Sequence, residues 1–154
     1  MAAPEVADVE LIAVTDATGA IVEPGWLGRA ETVHRQLRPQ LPADYMGRLS
    51  AVFANGGRML LAIKGGAVRG VALWRLIENT YEGRRLYIDD LVIDEKHRSQ
   101  GVGRRLLAAL RVTGEACGCD VLALDSGVQR QQAHKFYFRE GMTISSFCFK
   151  ETIQ

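Results

Sequence analysis

The stretch Arg98-Ser99-Gln100-Gly101-Val102-Gly103-Arg104 constrains this chain more than any other. It follows RLYIDDLVI (Arg85–Ile93), which reads as a strand, and opens a helical pattern from about Val102 to Glu115, with Leu106, Leu107, Leu110 and Val112 as apolar positions. Glycines let the backbone bend tightly and leave N–H groups unobstructed. The first N–H groups of a helix have no internal partner, and the helix dipole adds partial positive charge there. An anion such as pyrophosphate suits that place. Arg98 and Arg104 flank the turn and can add charge-assisted contacts. A Walker loop is excluded, because Gly103 is followed by Arg104-Arg105 and not by Lys and Ser or Thr. A Rossmann fingerprint is excluded too, because Leu106 stands where a third small residue is needed.

The rest of the chain supplies a mixed set of elements. Val9–Val14 reads as a first strand. Pro24 opens a helix carrying Trp26, Leu27, Ala30, Val33, His34 and Leu37, and Pro39 and Pro42 close it. Asp44 caps a second helix with Tyr45, Leu49, Val52 and Phe53 inward, stopped by Asn55-Gly56-Gly57. Met59–Lys64 and Ala67–Ile77 form a hairpin over Gly65-Gly66. After the glycine turn and its helix, ended by Gly118, come a buried strand (Val121–Ser126), a helix ending at Gly141 and a closing strand (Ile144–Glu151). The order β, α, α, β, β, β, α, β, α, β is an α/β sandwich on a mixed sheet, not a doubly wound fold.

The 154 residues fit one domain, 1–154. A net charge of +1 argues against a nucleic-acid binder driven by bulk charge. No apolar run reaches the length of a membrane span. The N-terminus, MAAPEVADVE, does not read as a secretory signal. Cys117, Cys119 and Cys148 form a sparse, odd set that suits reduced thiols in the cytoplasm. Cys117-x-Cys119 has no second pair to make a zinc site, so no metal is expected.

At this point the residues resemble the GCN5-related N-acetyltransferase (GNAT) superfamily. Arg98-x-x-Gly101-x-Gly103 matches its pyrophosphate signature, and Ala133-His134-Lys135-Phe136-Tyr137 followed by Gly141-Met142 matches its later A-x-x-F-Y-x-x-x-G-F/M segment. One departure is Arg130, where many members have Asn three residues before the alanine. The resemblance implies a mostly antiparallel central sheet with helices on both faces, and acetyl-CoA as donor. It implies that the fourth and fifth strands splay apart near Leu91, so that pantetheine runs along Leu91, Val92 and Ile93. It also implies that Arg98, Ser99, Gln100, Gly101, Val102, Gly103 and Arg104 hold the pyrophosphate, and that an N–H near Leu91 polarises the thioester carbonyl.

Acetyl transfer to an amine poses two proton problems. An alkylammonium, with a pKa of about 10, must lose a proton, and a departing thiolate gains from receiving one. Tyr137 matches the superfamily tyrosine that faces the sulfur and is the expected acid. Asp89 is the expected base, directly or through a water. Alternation along the strand puts Tyr87, Asp89, Leu91 and Ile93 on one face, and Ile88, Asp90 and Val92 on the other. The stretch YIDDLVI also resembles the corresponding strand of the diamine acetyltransferases, where an acid at the Asp89 position serves as base. Two adjacent acids in an apolar strand need partners, and Arg75 and Arg85 are available.

Acceptor choice falls to 24–55 and to the turn at 78–83, with Trp26, His34, Tyr45, Glu78 and Asp90 as candidate contacts. Acidic neighbours such as Glu31 and Glu78 suit a cationic amine: a polyamine, an amino sugar, an amino acid or a peptide amine. The expected activity is acetylation of a small-molecule amine in a ternary complex. A protein lysine or N-terminal acetyltransferase is the nearest alternative, and a non-catalytic acyl-CoA-binding module the alternative of another class. Aromatic residues in Ile144–Glu151 offer a strand edge to a second subunit, so a homodimer is expected.

Overall fold

The computed structural model describes residues 8–154, so most of the stretch examined for a signal lies outside the described residues. The described chain runs β1 (Glu10–Ala13), α1 (Pro24–Leu37), α2 (Tyr45–Ala54), β2 (Arg58–Lys64), β3 (Ala67–Asn79), β4 (Gly83–Ile93), a 3-10 turn (Glu95–His97), α3 (Val102–Ala116), β5 (Val121–Leu124) and α4 (Gln131–Arg139). It divides into two compact units, one up to Ala123 and one from Leu124 to Gln154.

In the first unit the sheet order is β1-β2-β3-β4-β5, with the first four strands joined antiparallel. Asp120 N–H donates to the Arg84 carbonyl at 2.7 Å, so β5 starts where β4 starts and, pairing along it, runs parallel. The sheet is therefore mixed, and the α/β class expected from the sequence is the one observed.

Helices cover both faces. On one, Leu27, Ala30 and Val33 of α1 and Tyr45, Leu49 and Phe53 of α2 pack on Met59, Leu61, Ile63, Val71, Leu73 and Val92. Each of the Val, Leu, Ile, Met and Phe side chains among these contributes about 1.5–3 kcal/mol through burial. On the other, α3 lies so close to β3 that a Cβ on Gly70 would sit 2.7 Å from Leu106 Cδ1. Local signals set the helix ends. Pro24 opens α1. The Asp44 carboxylate accepts the Gly47 N–H at 2.9 Å and opens α2, a cap worth about 1 kcal/mol. No helix among the described residues is long and apolar enough to cross a membrane.

The second unit is built on α4. Arg130 sits at its N-cap and makes no side-chain cap bond, because a guanidinium has no acceptor to offer the first-turn N–H groups. Gly141, at φ 84, turns the chain away at the far end. The closing strand expected at Ile144–Glu151 is not formed: the segment has no ladder partner among the described residues, and Phe147 and Phe149 are exposed. Apolar alternation marks a strand only where a neighbouring edge supplies N–H and C=O groups.

Candidate active site

The site begins with an irregularity in β4. Asp90 stands opposite Leu73, but Ile88 stands opposite Trp74, so Asp89 is an extra residue with no partner on β3. A bulge of this kind changes which face the following side chains occupy. Leu73 and Val92 belong to the core under α1 and α2, and Asp90 reaches His34 of α1. Across the bulge Leu86 faces the other way: a Cβ on Gly114 of α3 would lie 3.8 Å from it. Ile93 lies with Gly70, on the α3 side. The alternation expected from the sequence is therefore wrong across Asp89. Asp89 does not share a face with Leu91. Its Oδ2 is 2.8 Å from Arg75 Nε, and the same guanidinium donates to the carbonyl of Asn55 at the end of α2. Both carboxylates thus lie on the α1/α2 side of the sheet.

Their environments differ. Burial pushes the Asp89 carboxyl above the ordinary carboxylate range, against the opposing pull of Arg75. Burial works in the same direction on Asp90, but His34 and Arg38 outweigh it and hold that group below the usual range. Asp90 Oδ2 meets His34 Nε2 at 2.7 Å, while Asp90 Oδ1 accepts from Arg38 Nε at 2.8 Å. His34 Nδ1 lies 2.9 Å from the Tyr45 hydroxyl. Arg38 also donates to the Asp89 carbonyl at 3.1 Å. This chain of contacts locks α1, α2 and the bulge together.

Above Asp90 a cavity of about 410 Å³ opens between the end of α1, the start of α2 and the sheet. Its walls include His34, Arg38, Arg48 and Asp90, with Leu41, Leu49, Val52 and Leu73 as apolar lining. Of the acceptor candidates read from the sequence, the structure brings His34 and Asp90 to this cavity, and Tyr45 supports it from beneath through its hydroxyl. Trp26 packs against the core and carries Arg29 at 4.1 Å over its ring. Glu78 projects at the far end of β3, 3.4 Å from Arg84. Neither lines the cavity. Nothing in the sequence marks Arg38, Arg48 or Arg75 for the acceptor, since isolated arginines at a helix end, on an amphipathic helix or in a half-exposed strand look like ordinary solvated residues.

The glycine turn has the shape its residues demand. Ser99, at φ 61, is the one non-glycine residue with positive φ among the described residues, and Gly101, at φ 83, is the N-cap of α3. No side chain caps the first turn of α3. Val102 anchors that turn in the core. Gly103 and Arg104 follow as the next helical residues, and Arg98 and Gln100 lie in the connecting bend. A chain of N–H groups at a helix start, uncapped and flanked by arginines, fits a diphosphate. Leu91, Val92 and Ile93 pair with Ala72, Val71 and Gly70 on one edge. The four residues of β5, starting beside Arg84, span about 13 Å at strand rise. They therefore run out before Leu91, leaving its other edge without a β5 partner, as an added strand would need.

In the second unit, Tyr137 is half-buried on α4, its ring 5.5 Å from that of Phe136. Burial raises its phenol above the ordinary value, with Arg130 opposing. His134 is occupied locally, donating from Nε2 to the Gly127 carbonyl at 2.9 Å.

The family model described as Acetyltransferase (GNAT) family matches residues 26–142. An N-acetyltransferase of Bacillus subtilis, YhdJ, is 34% identical over 123 residues, 77% of this chain and 85% of its own length. The aminoalkylphosphonate N-acetyltransferase of Salmonella typhimurium is 29% identical over 94 residues, 60% of this chain and 61% of its own. Among solved structures, aminoglycoside N-acetyltransferase AAC(6')-Iy in complex with CoA superposes with a TM-score of 0.79 at 17% identity, covering 95% of each chain.

Proposed function

Because the chain belongs to the acetyltransferase (GNAT) family and is an acetyl-CoA-dependent N-acetyltransferase, we propose that it acetylates the primary amine of a small molecule by direct attack on the thioester. The observation that carries this reading is the 410 Å³ cavity whose wall includes Asp90, next to the bulged Asp89. That volume is in the range that small ligands fill. A pocket of this size favours a small acceptor over a long peptide segment.

The residues divide the work. Residues 98–104 hold the diphosphate of the donor at the start of α3. The outer edge of Leu91–Ile93 takes the pantetheine amides, and the Leu91 N–H polarises the thioester carbonyl. Asp89 accepts the proton that the acceptor ammonium must lose, directly or through a water. Its raised proton affinity is the direction a base needs. Asp90 stays ionised under His34 and Arg38, so it serves as a fixed negative charge beside the amine and not as the base. Tyr137, kept protonated by burial, gives its hydrogen to the departing sulfur. A thiol has a pKa of about 8.5, so this help matters as charge builds and is not obligatory.

Thiol release from acetyl-CoA, measured against a panel of amines, tests the proposal. Turnover with at least one small amine is expected. In Tyr137→Phe, kcat falls about 10²-fold at neutral pH. Equal turnover of the variant at every pH would remove Tyr137 from the mechanism, and acetyl-CoA binding without turnover of any amine would overturn the catalytic reading. The two names quoted above point to different acceptors. The structural neighbour acts on an aminoglycoside, but at 17% identity it supports the fold alone. The Salmonella relative is named for an amine that carries a phosphonate.

A further inference from the structure

We propose that the acceptor carries an anionic group on a short chain beside its amine, and that Arg48, assisted by Arg38, binds that anion. This rests on the acetyl-transfer reading above and specifies its substrate. The charge inventory of the cavity leads to it. Asp90 is already satisfied by Arg38 at 2.7 Å and His34 at 2.7 Å. The Arg48 guanidinium lines the same cavity, is exposed, and has no carboxylate partner among the described residues. The wall therefore holds a surplus of positive charge.

The carboxylates that would welcome a polycation are elsewhere. Glu31 is held by Arg35 at 2.7 Å, and Glu78 lies near Arg84 at 3.4 Å. A polyamine or aminoglycoside would bring several ammonium groups against two guanidinium groups with no unpaired acid to receive them. An amine with a carboxylate, phosphonate or phosphate answers both ends of the cavity. Its ammonium approaches the bulged acids of β4, and its anion meets the planar donor fork of Arg48. Leu41, Leu49, Val52 and Leu73 supply an apolar lining for the few methylenes between.

Thiol release by the full chain is measured with matched acceptors: propylamine, 3-aminopropionate, 3-aminopropylphosphonate and spermidine, each compared per unprotonated amine. Acetyl-CoA affinity is measured in parallel by titration calorimetry. The anionic amines are expected to exceed propylamine in kcat/KM by about tenfold, the size of one charge-assisted contact. Arg48→Glu erases that advantage, chiefly through KM, and Arg48→Lys keeps part of it. Arg48 is on the surface, so these variants retain the fold. Spermidine or propylamine matching the anionic amines, or an advantage that survives Arg48→Glu, overturns the proposal while leaving the acetyltransferase intact. No thiol release with any amine despite acetyl-CoA binding overturns both.

Discussion

Asp90 and Asp89 differ by one position and have opposite proton affinities. Asp90's carboxyl is held down by His34 and Arg38, so between its folded-state pKa and about 3.9 the unfolded chain binds more protons than the folded one. Its stabilisation is complete above that upper value and is lost as pH falls through the folded value. Urea midpoints from pH 2.5 to 7 are expected to show a shallower acid limb in Asp90→Asn than in the wild type. At pH 7 the variant loses about 3 kcal/mol, since Arg38 and His34 are left facing a neutral group. An acid limb unchanged by the substitution would show that another carboxylate sets it. The sequence made clear that adjacent acids in an apolar strand need partners, and Arg75 was among those named. It gave no sign of His34, which stands 56 residues away from Asp90. Such a pair is created by α1 packing across the sheet, and no local pattern encodes it.

At the scale of elements, the glycine turn and α3 were legible because their signals are local. Glycines permit positive φ, and the apolar spacing of Leu106, Leu107 and Leu110 gives the buried face. The turn carries a direct prediction. Gly103→Pro removes one N–H from the first helical turn, where no intrahelical bond is lost. Calorimetry should show acetyl-CoA affinity falling about 10- to 100-fold, the worth of one charged hydrogen bond, with the helical circular dichroism retained. Undiminished affinity would place the diphosphate elsewhere. The bulge in β4 was not legible, because a strand with one extra residue has the same apolar alternation as a regular one. Only the pairing of Leu73 with Asp90 and of Trp74 with Ile88 reveals it. The segment at Ile144–Glu151 failed for the converse reason: its pattern was present, but the neighbouring edge was not.

For the molecule as a whole, most of the architecture followed from element order, while the acceptor pocket did not. A pocket is the space left between elements that meet only in three dimensions, here α1, α2, β3 and β4. Binding of acetyl-CoA to the folded chain alone stabilises it by mass action. At a ligand concentration 100 times Kd the gain is about 2.7 kcal/mol. For a chain of this size the melting temperature should rise by roughly 5–11 °C, and a scan with no shift at saturating acetyl-CoA would contradict binding to the native state. The bulge has a consequence for how β4 tolerates change. Exchanging the side chain at Asp89 alters chemistry at a single point. Excising that residue would bring Ile88 directly before Asp90, the two still opposite Trp74 and Leu73, so the pleat would close up with Leu86 and Ile88 still beneath α3. In this stretch of the gene a lost codon would remove a kink and a carboxylate and leave the register of the strand intact.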